Sequence, residues 1–509
     1  MAAAVAAARS RRRLLPYLHR LLHSSSASAP AASPSPSRFL RHASPEPRAA
    51  DHSPYLRLPA AHVTTLPTGL RVVTQAYPAN TRMASVGVWV DAGSRYELPG
   101  TNGTAHFLEH MAFKGTARRP DAEALEVEIE NMGARLNAYT SREQTTFFAD
   151  VQARHVPVAL DVLSDILQNP RFPDNALKRE RGVILREMEE VNGMMEEVIF
   201  DHLHAAAFKC HPLGDTILGP EENIRSISKK DLKDYISTHY TFPRMVVSAA
   251  GAVNHDEVVD QVKQLFTAFS TDPTTADQLV EACPAIFTGS EVRMENPDMP
   301  LAHLAIAFKG SSWTDPCSIP LMVIQSILGS WNRSIGVGNC SGSALARGIS
   351  NGDLAESLMA FNTNYNDTGL FGIYTVAPPD TLSDLSRLIM AEFRRLAFGV
   401  SEEEVARACN QLKSSLLLHI DGSTAVAENN GRQMLTYGRV MPFLELFARI
   451  DAVDSAAVME TAKKFIIDKE VAIAAVGQLS NLPELGWFRS ETCCDDEFTQ
   501  RIFFQSGAK

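Results

Sequence analysis

The chain has 509 residues, 45% hydrophobic and 21% charged, which is enough apolar material for more than one packed core. Its 48 Lys and Arg stand against 59 Asp and Glu, with no basic block beyond the extreme N-terminus, which argues against nucleic acid as a partner. No stretch approaches the roughly 18 consecutive apolar residues of a spanning helix, and the seven Cys, odd in number and never spaced as CxxC, fit neither a disulfide framework nor a thiolate metal site.

Residues 1–50 hold eight Arg, no Lys and a single acid, Glu46, leaving 40 bases against 58 acids and a net charge of −18 in residues 51–509. Leu14, Leu15, Leu18, Leu21 and Leu22 fall at helical spacing beside Arg11, Arg12, Arg13 and Arg20. An Arg-rich, Ser-rich, acid-poor amphipathic segment predicts a mitochondrial transit peptide over 1–50. From about Leu58 strand-like runs such as "ASVGVWVDAG" (84–93) alternate with helical ones such as "DAEALEVEIENMG" (121–133), so the class is mixed α and β. Two segments recur in the same order about 220 residues apart. "VGVWVDAGSRYELPG" (86–100) is echoed by "LAIAFKGSSWTDP" (304–316), and "LNAYTSREQTTFF" (136–148) by "LMAFNTNYNDTGLF" (358–371). The expectation is two copies of one fold, 51–269 and 290–509, joined by a polar linker at 270–289.

Between the first two strand-like runs lies His106-Phe107-Leu108-Glu109-His110, an H-x-x-E-H pattern. At 100° per residue the two His and the Glu share an arc of about 100°, while Phe107, Leu108, Met111 and Ala112 take the other side. Two imidazoles one turn apart can grip Zn²⁺, and a carboxylate between them can accept a proton from the attacking water. Glycines at 100, 103 and 115, with Thr101, Asn102 and Thr104 as caps, predict a short helix.

A third ligand is sought on the stretch 177–204, expected to be one long helix with an apolar stripe through Val183, Ile184, Val191, Met194, Met195 and Val198. Glu180 and Glu187 project from that stripe, whereas Glu189 and Glu196 point away. A carboxylate on a buried face needs a cation or a donor. Glu187 is therefore assigned as the ligand and Glu180 as the group that supports the site from behind.

HFLEH followed 77 positions later by Glu187, in the setting "VILREMEEV", resembles the inverted zinc motif of the pitrilysin-type metallopeptidases. "LNAYTSREQTTFFADV", "PLGDTILGPEENI" and "DGSTAVAENNGRQMLTYGR" extend the likeness to the branch of that family that processes mitochondrial presequences. The resemblance implies an α+β fold, two homologous α/β-roll domains, each a mixed sheet covered by helices. It implies one zinc ion per chain held by His106, His110 and Glu187, with Glu109 as general base, and an edge at Asn137, Ala138, Tyr139 and Thr140 that pairs with an extended substrate. It further implies a heterodimer with a related alpha-type subunit, presequence-bearing precursors as substrates, and a place in the matrix or at the matrix face of the inner membrane. Single-chain members enclose their substrate with four copies of the fold; this chain has two, so a second chain completes the chamber.

The second copy tests this reading. The region near 325–335, where the motif would recur, reads "QSILGSWNRSI" without His or Glu, and "VARACNQLKSSLLLH" (405–419) has no carboxylate. One copy carries chemistry and the other is non-catalytic. Two rival readings are a structural core subunit of respiratory complex III and a free presequence-degrading oligopeptidase.

Overall fold

Every residue from Ala84 to Val90 is buried, which requires a strand covered on both faces. The computed structural model describes residues 59–77, 82–335 and 341–493, and shows where the two coverings come from. The segment read as a transit peptide lies outside the described residues.

The first sheet runs β1 (His62–Thr65), β2 (Arg71–Ala76), β6 (Met245–Gly251), β3 (Met83–Val90), β5 (Thr145–Gln152), β4 (Arg135–Thr140). The second runs β7 (Glu291–Glu295), β12 (Ala472–Gly477), β8 (Ala302–Lys309), β11 (Gly369–Ala377), β10 (Ser357–Asn364), β9 (Ser330–Asn332). In each sheet one pair is parallel, β2 with β6 and β7 with β12, and the other pairs are antiparallel. The order β2-β6-β3-β5-β4 thus matches β7-β12-β8-β11-β10 strand for strand, and the sequence echoes fall on matching strands, β3 with β8 and β4–β5 with β10–β11. The fold is α+β with two related halves.

One face of each sheet is covered by its own helices, with Val86, Val88 and Phe147 meeting Phe107, Leu160 and Ile184 in the first half. The other face is covered by a helix from the opposite half. Ile199 and Leu203 of helix Met195–Ala207 pack on Ala305, Ala307, Ala472 and Ala474 of the second sheet. Reciprocally, Val426, Ala427 and Met434 of helix Ser423–Thr436 pack on Val73, Trp89, Val246 and Ala250 of the first. This exchange corrects the expectation of one helix over 177–204. The chain forms two helices, Asp174–Asn192 and Met195–Ala207, broken at Gly193 and Met194. The first serves its own half and the second crosses over, so the expected stripe is divided and Met194 stands 55% exposed at the junction.

Close approach is needed at one glycine in particular. A Cβ on Gly431 would lie 2.3 Å from the Trp89 ring, which is itself buried. Gly431→Leu is therefore expected to lose about 1–3 kcal/mol or more through overpacking between the halves. Gly182→Ala, in open space on a helix, should instead gain about 0.5–1 kcal/mol. Thermal unfolding of the two variants checks both signs.

The halves are also tied at their hairpins. Arg95 donates to Glu143 Oε1 (2.7 Å) beside β4–β5 and to both oxygens of Asp367 (2.7 and 2.8 Å) beside β10–β11. The Asn366 N–H donates to Glu143, and the Ala285 N–H, from the stretch 270–289, donates to Asp367. That stretch also carries a short helix, Ala276–Ala282, started by a Thr275/Gln278 capping box.

Candidate metal centre

The H-x-x-E-H run forms helix Thr104–Ala112, with Phe107, Leu108, Met111 and Ala112 buried in the first core. Its start differs from the capping expected of Thr101, Asn102 and Thr104. Gly103 takes the left-handed conformation (φ 98°) without a side-chain cap. The orphan amides are taken instead by the buried Glu97 carboxylate, which accepts from Gly103 N–H at 2.8 Å and Ala105 N–H at 2.6 Å. Glu97 carries no periodic signal in the sequence that would have singled it out.

Helix Asp174–Asn192 packs beside this helix, anchored by buried Leu177 and Ile184. Glu187 Oε1 lies 3.7 Å from His106 Nε2, and Glu187 Oε2 lies 3.2 Å from His110 Nε2. One candidate ligand atom from each of the three lies within 4.8 Å of the others, a grouping met nowhere else among the described residues. Glu180 stands behind it, 6% exposed, with Oε2 3.3 Å from His110 Nδ1 and Oε1 3.0 Å from Lys114 Nζ. Glu189 is exposed.

The donor set fits a divalent cation. Burial, with a smaller contribution from His110, pushes the His106 imidazole down to about 3, so the ring is neutral and offers a lone pair. The Glu180 carboxylate is placed to accept from Nδ1–H of His110, the arrangement that would turn an Nε2 lone pair towards Glu187. His106 Nε2 and His110 Nε2 both face the Glu187 carboxylate, and their 3.7 and 3.2 Å spacings suit ligands with bonds of roughly 2.0–2.1 Å to one ion. His106 Nδ1 is buried without a hydrogen-bond partner, so packing rather than a carboxylate sets that ring.

Glu109 lies between the two histidines in sequence and outside the donor group. Its Oε2 accepts from Thr140 Oγ1–H at 2.6 Å. Burial raises the Glu109 carboxyl, against the pull of the Thr140 hydrogen bond and His110, towards the range useful in a base. Thr140 ends β4, the last strand of its sheet. On that strand Asn137 is exposed, its Oδ1 accepting from Ala138 N–H at 2.9 Å, and the Tyr139 hydroxyl donates to Glu428 at 2.9 Å. The contacts of Thr140 with Glu109 and of Tyr139 with Glu428 were not legible in the sequence.

In the second half the corresponding helix pair is Ser318–Leu328 and Glu402–Leu418, slightly earlier than the 325–335 expected for the first of them. Its buried positions are Leu321, Val323, Ile324 and Ile327 facing Val405, Ala408, Cys409 and Leu412. Apolar side chains fill the interface where the first half places imidazoles and carboxylates.

Two family models match consecutive stretches of the chain. The family described as Insulinase (Peptidase family M16) matches residues 71–221, and the Peptidase M16 inactive domain matches 226–412. A probable mitochondrial-processing peptidase subunit beta from Arabidopsis thaliana is 59% identical over 455 residues, covering 89% of this chain and 85% of that protein. The mitochondrial-processing peptidase subunit beta of Homo sapiens is 49% identical over 438 residues, covering 86% and 88%. Among solved structures, a chain of Complex III2 from Candida albicans with Inz-5 bound aligns with a TM-score of 0.75 at 25% identity, covering 86% of this chain and all of that one. Two adjoining family matches over most of the chain, with the donor set confined to the first, lead to one conclusion: the chain belongs to the insulinase family of peptidases, family M16, and is a metallopeptidase working with a divalent metal.

Proposed function

We propose that this chain is the catalytic, beta-type subunit of a zinc endopeptidase that removes N-terminal presequences from precursors imported into mitochondria. The observation that carries the reading is the convergence of His106, His110 and Glu187 beside Glu109, in a chain whose relatives are named as processing-peptidase beta subunits. A two-histidine, one-carboxylate set is that of a hydrolytic zinc site. His106, His110 and Glu187 hold the ion, and Glu180 orients His110. Residues 51–269 form the catalytic domain, 270–289 the connection, and 290–509 the non-catalytic domain.

A bound zinc ion supplies Lewis-acid activation of the water and of the scissile carbonyl. Glu109 takes the proton of the attacking water and returns it to the leaving amine. The substrate lies extended along the open edge of β4, where Asn137, Ala138, Tyr139 and Thr140 offer backbone pairing. An alpha-type subunit closes the chamber, at the matrix or the matrix face of the inner membrane.

The likeness to a Complex III2 chain supports a second reading, a structural core subunit. A purely structural subunit has no use for a base beside three converged donors, so this reading stands as an added role. The test is to purify the chain with and without an alpha-type subunit and to follow cleavage of a presequence peptide. Cleavage by the pair, abolished by chelator and restored by zinc, is the expected result. Full activity of a verified monomer would favour the oligopeptidase reading, and inactivity of the zinc-loaded pair would leave the structural one.

A further inference from the structure

Strand β4 is held from both faces. Leu136 and Ala138 pack towards the first core, and Thr140, of the same parity, reaches the motif helix, where its Oγ1–H meets Glu109 Oε2 at 2.6 Å. Tyr139 has the opposite parity, and its hydroxyl donates at 2.9 Å to Glu428 on helix Ser423–Thr436, the helix that the second half lays across the first sheet. Glu428 in turn has Arg432 at 3.9 Å one turn along. On its inner side β4 is laddered to β5 from Arg135 to Thr140, and among the described residues its outer edge pairs with no strand.

We propose that Thr140 is a positioning residue for Glu109, and that Glu428 of the second half steadies the same strand from its other face through Tyr139. The inference rests on the reading above, in which Glu109 is the base. A glutamate has three rotatable side-chain bonds, and a carboxylate that swings loses the geometry proton transfer needs. Thr140 occupies one carboxylate oxygen and leaves the other to meet the water. Because the anchoring hydroxyl sits on the strand that the substrate would extend, base and peptide share one rigid element. The second half, though it lacks the donor set, thereby contributes to the orientation of the active site.

The experiment uses the zinc-loaded pair of this chain with its alpha-type partner, measuring kcat and KM separately on a presequence peptide, with metal content alongside. Thr140→Val should lower kcat about tenfold or more, with KM and metal content near wild type, and Thr140→Ser should recover most of the loss. Tyr139→Phe and Glu428→Leu should each lower kcat about threefold, and the double variant no further, since both break one contact. Wild-type kcat in Thr140→Val, a rise in KM alone, or a Ser variant as poor as Val would overturn the assignment of Thr140. Additive losses for Tyr139 and Glu428 would overturn their part. Normal turnover by metal-loaded Glu109→Gln would sink the underlying reading instead, so the two failures are distinguishable.

Discussion

Glu109→Gln is expected to abolish peptide-bond cleavage while leaving the metal content unchanged. The substitution preserves side-chain length and an amide oxygen able to accept from Thr140 Oγ1–H, so the motif helix and its contact with β4 survive. What disappears is the basic oxygen. A positioned general base contributes about 10²–10⁴ in rate, and in the proposed mechanism Glu109 also returns the proton to the leaving amine, so the loss should reach the upper end of that range or pass it. Metal content is the necessary control, because Glu109 lies outside the group formed by His106, His110 and Glu187. Elemental analysis paired with single-turnover cleavage reads both quantities. Turnover within tenfold of wild type at full metal content would remove Glu109 from the role of base.

The motif was legible because a helix converts sequence spacing directly into geometry. His106, Glu109 and His110 need only the 3.6-residue period to share a face, and Glu187 follows once the buried stripe of its helix is traced. The internal repeat was legible for a similar reason, since β3 and β8 are buried on both faces and so carry similar apolar runs. What escaped were contacts between elements distant in the chain. Glu97 caps the motif helix from a preceding turn, and Thr140 reaches Glu109 across 31 positions. The crossing of helix Met195–Ala207 to the opposite sheet was equally hidden. Its apolar residues continue the pattern of the preceding helix, and only the break at Gly193 and Met194 separates one destination from the other. Periodicity states that a face is buried without stating against what.

The reciprocal exchange of helices also gives the half without the donor set a place in the fold. The first sheet turns Val73, Trp89, Val246 and Ala250 to the side away from its own helices, where Val426, Ala427 and Met434 of helix Ser423–Thr436 cover them. Without the second half that apolar face would meet water. The sheet that presents β4 to the motif helix is therefore complete only in the two-half chain. In the second half the corresponding helices pack through aliphatic side chains, so that core is filled without a donor set.

The second large effect concerns metal affinity, with Glu187→Gln, Glu180→Gln and Glu189→Gln expected to rank in that order. Glu187 offers one oxygen towards each histidine, at 3.7 and 3.2 Å, and its amide replacement removes the negative charge that offsets the cation. Glu180 touches no proposed ligand position of the ion. It holds His110 through Nδ1, and loss of such support typically costs about 10–100-fold in metal affinity. Glu187→Gln should exceed that range. Lys114, which shares Glu180 at 3.0 Å, is partly exposed and can turn to water when the carboxylate is lost, so Glu180→Gln should not destabilise the fold severely. Glu189 is exposed on the far side of the same helix and should leave affinity unchanged. Competition against a chelator of known affinity, with unfolding followed in parallel, gives the ranking free of folding effects. Should Glu180→Gln weaken binding more than Glu187→Gln, the ligand and its support are exchanged. A loss in Glu189→Gln equal to that of Glu187→Gln would mean that the effect is one of overall charge on an acidic helix rather than of coordination.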